Sequence, residues 1–493
     1  MTTEVRPLSL VKTDEGTRAA FAWVEQTLDG RIVAAQLQPR WARQQWFLDV
    51  DQGGASPLRV VLRGRKSDAF GPGGASKSAG ATGSASASLN SSAKRLEREA
   101  AVLSTLQNRP GIVVPRYFGY NDELGWLLQE TMADEGLLTD VADEQRQARL
   151  FRSYLDQLAA VHRLDLDDLE LTSAVPRPAS ADAALVDYLD MQVALYENAA
   201  PAPDPLIAFT VWWLRNHKPL PSGQLSLCLG DVGANQFMFT GDDVCLMDFE
   251  MARISNHFYD IGNIRLRTLV YNVPDLAGHI QYYCEQFGEP ADIERIQFYT
   301  AVHLSGGLML QYGARHDPDP FRDPGFNDYL QIWAYSTSIA RGLAELFMEI
   351  YGFRPDPPEL PEPAETHADI FSVLNHRIGL LDGYAPDNAL HSFAVRGTAA
   401  VAETITRRQR VGAQLAQDTI GEFSAALGRP VASVADGLAQ LTTAIAADPE
   451  RDLEARLQAI YRYQAREEHI YRPFHEAYGQ HAGRPLDPIE RRA

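Results

Sequence analysis

Between Leu225 and Arg267 the chain reads LSLCLGDVGANQFMFTGDDVCLMDFEMARISNHFYDIGNIRLR, and its apolar runs are short and sharply punctuated. LSLCL stops at Gly230-Asp231, QFMF runs into the turn Gly241-Asp242-Asp243, and VCLM ends at Asp248. Apolar runs bounded by Gly and Asp predict short buried strands joined by a hairpin. Asp231 and Asp248 are then expected together at the mouth of one small sheet. Upstream the period differs. Residues 13–28 predict a helix with Phe21, Val24 and Leu28 on one side, and 30–37, 45–50 and 58–62 predict strands. In 94–106 Leu96, Ala100, Leu103 and Leu106 share one helical face. Two more strands are expected in 113–120 and 125–132, then a helix over 150–164 with His162 near its end.

Downstream, 176–221 adds helices, including the aromatic run FTVWWLRNH, and 276–351 is strongly helical beyond a turn at Asn272-Val273-Pro274. His303, within that helical part, reads equally as core or as site. Residues 354–363 (RPDPPELPEP) form a proline-rich connector that marks a boundary. Four helical stretches follow, over 369–381, 390–427, 431–447 and 452–479. The tract 71–92 is Gly/Ala/Ser-rich and cannot bury a core, so disorder is expected there. It reads either as a lid over a ligand or as a tolerated insertion.

A chain of 493 residues is long enough for two lobes and an appendage. Its net charge of −20 argues against a nucleic-acid partner, since phosphate contacts want clustered Lys and Arg. Cys228, Cys245 and Cys284 suggest neither a zinc site nor a disulfide framework, and the first two read as buried free thiols. No signal segment or membrane-spanning apolar run is visible, so no membrane association and a cytoplasmic location are expected.

Two carboxylates at strand ends fit phosphoryl transfer. One stands by the acceptor hydroxyl, and the other joins an oxygen-rich cradle for magnesium on the nucleotide phosphates. Asp231 could orient or deprotonate the hydroxyl. Asp248, with an amide oxygen from Asn235 or Gln236, could hold the metal. Taken singly, each aspartate reads as an ordinary turn residue. Near the C-terminus Glu467, Glu468, His469 and His475 lack matched metal-ligand spacing and are expected on a solvated face.

The set Leu229-Gly230-Asp231, Asn235-Gln236, Asp248-Phe249-Glu250 and Phe258-Tyr259-Asp260 resembles, in order and spacing, the catalytic core of the aminoglycoside phosphotransferase and choline kinase-like family, relatives of protein kinases. That resemblance spans about residues 15–350. It implies an α+β, two-lobed protein-kinase-like fold with a small β-rich N-lobe, a larger helical C-lobe and, here, an appended helical region. It also implies ATP and Mg2+ as cofactors. Asp231 would be catalytic, and Gln236 or Asn235 with Asp248 would bind metal. Arg63, with Arg65 and Lys66 in reserve, would meet the phosphates. Glu99, or else Glu97, would pair with that basic residue. Gln129, Glu130 and Met132 belong to the segment that would hold adenine through its backbone. Asp260 would brace the catalytic loop through backbone amides, and His162 would be a packed, loop-bracing residue. Arg253, Arg265 and Arg267 would either meet an anionic part of the substrate or pair with the acidic surface. Two departures stand out: Leu229 replaces the family's His, and Gln236 stands where Asn is usual.

The implied organisation is a nucleotide-binding lobe over 1–130, a catalytic and substrate lobe over 131–353, a linker over 354–366 and a helical extension over 367–493. The extension offers a homodimer surface. The implied reaction phosphorylates a hydroxyl of a small molecule. The Val-Leu-Arg strand, Arg-Glu helix and Asp-Phe-Glu element are similar to the subgroup linked to acyl-CoA dehydrogenases, which implies hydroxyacyl or other alcohol substrates in catabolism. Antibiotic phosphorylation, as resistance, is the second enzyme reading. A non-catalytic pseudokinase acting as a binding protein is the third.

Overall fold

The structure is a computed structural model that describes residues 6–7, 13–38, 45–64, 92–198, 203–217, 224–315, 327–363, 370–383 and 389–490. Arg65, Lys66 and residues 71–91 of the Gly/Ala/Ser tract lie outside the described residues. The chain forms two compact units. One comprises Met1–Asp187, Pro221–Asp260 and Gly278–Ala291, and the other Tyr188–Leu220, Ile261–Ala277 and Asp292–Ala493.

In the first unit an antiparallel sheet has the order β1 (Arg6–Pro7), β2 (Arg31–Gln38), β3 (Gln45–Asp51), β4 (Leu58–Gly64), β6 (Trp126–Glu130), β5 (Tyr117–Asn121). Helix α1 (Glu15–Leu28) begins at Asp14, whose carboxylate accepts from the Thr17 amide at 2.7 Å. Its Phe21 meets Trp46 edge-on at 5.2 Å, over a core that includes Val24, Leu48, Val60 and Leu128. Each such side chain contributes about 1.5–3 kcal/mol on full burial. Helix α2 (Ser92–Leu106) buries Leu96, Val102, Leu103 and Leu106. Helix α3 (Glu144–His162) starts at Asp143, which accepts from the Gln145 and Arg146 amides.

The chemistry-bearing stretch forms two ladders instead of the single sheet its apolar runs suggest. β8 (Phe237–Thr240) and β9 (Asp243–Leu246) make the expected hairpin, with Gly241 at φ 62° in its turn. β7 (Ser226–Cys228) pairs instead with β10 (Arg253–Ser255), Cys228 opposite Arg253. A three-residue strand beginning with arginine is too short for alternation to reveal. The buried Gln157 side chain ties the hairpin to its surroundings, donating to the Val244 carbonyl and accepting from the Val113 amide, each at 2.8 Å. All three cysteines are free and buried.

Helices α4 (Ala181–Asn198), α6 (Phe258–Arg267) and α7 (Leu276–Phe287) carry the chain between units. The second unit is helical: α5 (Pro205–Asn216), α8 (Ile293–Arg315), α9 (Asn327–Ile350), α10 (Ile370–Asp382), α11 (Ala389–Leu427), α12 (Val434–Ala447) and α13 (Leu453–Ala477). Phe209, Trp213, Phe298 and Phe347 build its aromatic core. Among the described residues no helix is long and apolar enough to cross a membrane.

The C-terminal helices belong to this unit and are bound to it by buried ions. Arg341 on α9 pairs with Glu468 on α13 and, at 2.6 Å, with Glu345, which accepts from the Leu486 amide at 2.7 Å. The expected solvated face is corrected here: Glu468, His469 and His475 are buried, and only Glu467, paired with Arg408 at 2.9 Å, lies nearer the surface. Helical periodicity counts such residues as polar, whereas partners far along the chain allow their burial. Arg265 likewise sits at 0% exposure against Glu349 and the Asp487 carbonyl, and so serves the interior, not the surface. Arg267 reaches the Tyr335 hydroxyl at 3.4 Å, Arg253 the Tyr259 hydroxyl at 3.0 Å, and buried His303 bonds Asn263 at 3.1 Å. The connector is also tied down: Asp356 meets Arg462, and Glu362 meets Arg407 and Arg472.

Replacing Arg341 by Met leaves Glu468 and Glu345 buried without their cation. A loss of about 3–5 kcal/mol is expected, read as a lowered denaturant midpoint.

Candidate active site

The loop between β7 and Asp231 is shaped by one buried carboxylate. Asp260, in the first turn of α6, is completely buried. It accepts from the Leu229 amide at 2.7 Å and the Gly230 amide at 2.9 Å, and its Oδ2 lies 3.0 Å from His162 Nε2. His162 Nδ1 is 2.6 Å from the Tyr283 hydroxyl, whose own ionisation burial pushes well up. The brace expected of Asp260 and His162 is thus present, and it uses the backbone of residue 229. The missing family histidine leaves these bonds intact. His162, Cys228 and Asp260 also lie close enough for a metal, but the His and Asp atoms are taken by the brace and burial raises the Cys228 thiol. The cluster acts as a strut.

Gly230 is obligatory. Its φ is 82°, and a Cβ there would stand 2.2 Å from the Met251 carbonyl oxygen. The loop that presents Asp231 and the turn after Asp248 therefore touch backbone to backbone. Asp231 Oδ2 accepts from Gln236 Nε2 at 2.7 Å. The neighbouring amide faces elsewhere: Asn235 exchanges longer bonds with Thr139 at 3.3 and 3.5 Å. Of the two amides, the structure brings Gln236 to Asp231.

Asp248 closes the group from β9. Its backbone is left-handed, φ 65° and ψ 60°, ahead of the 3-10 turn Phe249–Met251. Such a conformation is costly for a residue with a Cβ and persists only where the surroundings fix it. Arg63, near the end of β4, forms an ion pair with Glu99 of α2, which is 1% exposed. Burial pulls the Arg63 guanidinium down, but Glu99, Asp248 and Glu250 outweigh it and leave it raised. Burial, then Glu250, push the Asp248 carboxyl up to about 7; Arg63 opposes this, while Asp231 and Glu99 add to it. All five charged groups are thus within electrostatic reach. Glu250 was not singled out from sequence, although it is the strongest charged neighbour of Asp248.

Glu99, Asp248 and Glu250 act on the Arg63 guanidinium, Arg95 also pairs with Glu250 at 3.5 Å, and oxygen donors are what a hard divalent cation takes. The donor set fits: the Asp248 carboxylate, and the Gln236 carbonyl oxygen, its amide nitrogen being committed to Asp231. At the end of β6, the amides of Glu130 and Thr131 donate to the Arg116 and Arg59 carbonyls, at 2.8 and 3.1 Å. Gln129, opposite Val61, is likewise inside the sheet, and Met132 lies just past it.

The raised Asp248 value sets a pH dependence. The folded state holds a proton that the unfolded chain releases near 3.8, so this group's contribution to stability is lost as pH rises through about 7. Asp248→Asn should therefore raise the melting temperature of the ligand-free protein at pH 8, by roughly 2–4 °C. A divalent cation held by the Asp248 carboxylate would bind more weakly as pH falls from 8 to 6, since proton and cation would compete for that carboxylate; calorimetric titration reads this directly. Gly230→Ala should cost at least about 1–2 kcal/mol from its backbone angle alone, measured by denaturant unfolding.

The model of the phosphotransferase enzyme family, APH, matches residues 21–299, more than half of the chain. No curated protein matches the chain significantly. Among solved structures, a candidate aminoglycoside phosphotransferase from Ralstonia eutropha is 14% identical, over 68% of this chain and 97% of its own, with a TM-score of 0.49. Macrolide 2′-phosphotransferase from Brachybacterium faecium is 12% identical over 65% and 97%, with a TM-score of 0.44. Choline kinase from Cryptosporidium parvum is 11% identical over 64% and 95%, with a TM-score of 0.43. The family model covers the strand that carries Arg63 and the brace at Asp260 alike, and on it this chain belongs to the phosphotransferase enzyme family; the fold is α+β, with further helices beyond the matched residues.

Proposed function

We propose that the protein transfers the γ-phosphoryl group of ATP to a hydroxyl of a small molecule, in a reaction that requires magnesium. The observation that carries this reading is the convergence of Asp231, Gln236, Asp248, Arg63 and Glu99 around a loop held by Asp260. Asp231 orients the acceptor hydroxyl and takes its proton as the oxygen–phosphorus bond forms and the bond to ADP breaks. Arg63, held by Glu99, neutralises phosphate charge. Gln236 and Asp248 hold the metal, and Asn235 is left to Thr139. When bound, Mg2+ supplies charge neutralisation on the phosphate oxygens. The adenine edge is assigned to the backbone of Gln129, Glu130 and Met132, with Met132 favoured because the Glu130 amide is already used within the sheet. Little covalent work is asked of the protein, so positioning and electrostatics dominate.

The acceptor is assigned to catabolic alcohols, hydroxyacyl compounds among them, on the resemblance of the Val-Leu-Arg, Arg-Glu and Asp-Phe-Glu segments to that subgroup. An acceptor panel that includes aminoglycosides and macrolides tests it, and turnover confined to the antibiotics would overturn it.

Nucleotide binding followed by thermal shift tests the reaction class. ATP at about a hundred times its dissociation constant adds roughly 2.7 kcal/mol to stability. The shift should require magnesium and vanish in Asp248→Ala. Asp231→Asn should keep the shift and lose about 10²–10⁴-fold in kcat. A native protein that ignores ATP under both conditions would leave the binding-protein reading standing instead.

A further inference from the structure

Arg98 stands one residue before Glu99 on α2, and only 7% of it is exposed. Its Nε donates to the Ala174 carbonyl at 2.9 Å and its Nη1 to the Glu250 carbonyl at 2.8 Å. Burying a guanidinium is expensive. Burial, then Arg253 and Arg95, pull it down to about 10, against the opposing pull of Glu250 and Tyr259. An apolar side chain would fill the space at lower cost, so packing alone does not account for arginine here.

Its two carbonyl partners do. Glu250 lies two residues beyond Asp248, in the turn whose left-handed start needs outside support. The next carbonyl along, that of Met251, is the one pressed against Gly230. The turn is therefore gripped by α2 through one peptide and seated on the Asp231 loop through the following one. Ala174 anchors the other end of the grip in a segment that α2 also holds through Thr105, whose hydroxyl donates to the Glu170 carbonyl at 3.3 Å. Adjacent residues of a single helix thus serve the two halves of the site: Glu99 fixes Arg63, and Arg98 fixes the turn of Asp248.

We infer that Arg98 is a positioning residue for the Asp248 turn, setting the distance of the Asp248 carboxylate from Gln236 and Asp231 and so the metal dependence of nucleotide binding. This role rests on the phosphotransferase reading above. Arg98→Lys keeps charge and length but cannot span two carbonyls. Arg98→Met keeps the shape alone. Thr105→Val breaks a neighbouring bond of α2 without touching the turn.

Titration calorimetry with ADP, with and without Mg2+, on the full chain measures how far the metal tightens binding. In Arg98→Lys that tightening should fall at least tenfold with circular dichroism unchanged. Thr105→Val should lower only the melting temperature. A native degree of tightening in Arg98→Lys overturns the proposal, whatever its melting temperature, and it decides the matter if Arg98→Met does not fold. A native protein that binds ADP without regard to Mg2+ overturns the phosphotransferase reading, and this role with it.

Discussion

The carboxylate of Asp260 is the constraint on which the candidate site depends. It is fully buried, takes two backbone amides of the loop that presents Asp231, and is itself held by His162. Hydrogen bonds to a charged acceptor are the strong ones, and in a low-dielectric interior they are expensive to leave unmade. These bonds tie down the loop backbone at residues 229 and 230. The brace works through amides, so it uses the backbone of residue 229 and not the Leu229 side chain. From this loop the order spreads by contact: Gly230 admits the Met251 carbonyl, the turn of Met251 fixes Asp248, and α2 reaches that turn as well as Arg63.

The same compactness makes the site electrostatically uncomfortable. Glu250, Asp231 and Glu99 act on the buried Asp248 carboxyl against the opposing pull of Arg63, and it is pushed up to about 7. Perturbed groups of this kind gather at functional sites because function, not folding, requires them. A structural aspartate would be stabilised by being ionised; this one is destabilised until something positive arrives.

In the second unit the balance runs the other way, and buried charges are matched. Arg341 with Glu468, and Arg265 with Glu349, join helices far apart in sequence, and Glu345 shares the Arg341 guanidinium from the same helix. The helices beyond the proline-rich connector are thereby part of one packed body, and the connector itself is pinned by Asp356 and Glu362. Such pairs add less net stability than their number suggests, yet they are costly to break singly.

Much of this was legible in the sequence, since local chemistry decides it. Helices α2, α3 and α10 to α13 announce themselves by spacing, the hairpin by its Gly-Asp turn, and Asp231, Asp248, Asp260, Arg63 and Glu99 by their order along the chain. Tertiary structure alone decided the rest. It paired β7 with a strand of three residues, turned Gln236 and not Asn235 toward Asp231, and buried Glu468, His469 and His475 where periodicity expected solvent. It also gave Arg98 two carbonyls to hold. The physical reason is that sequence spacing records which residues share a face, whereas the partner each side chain or strand finds, from five residues away for Gln236 to more than a hundred for Glu468, is set by how the faces pack.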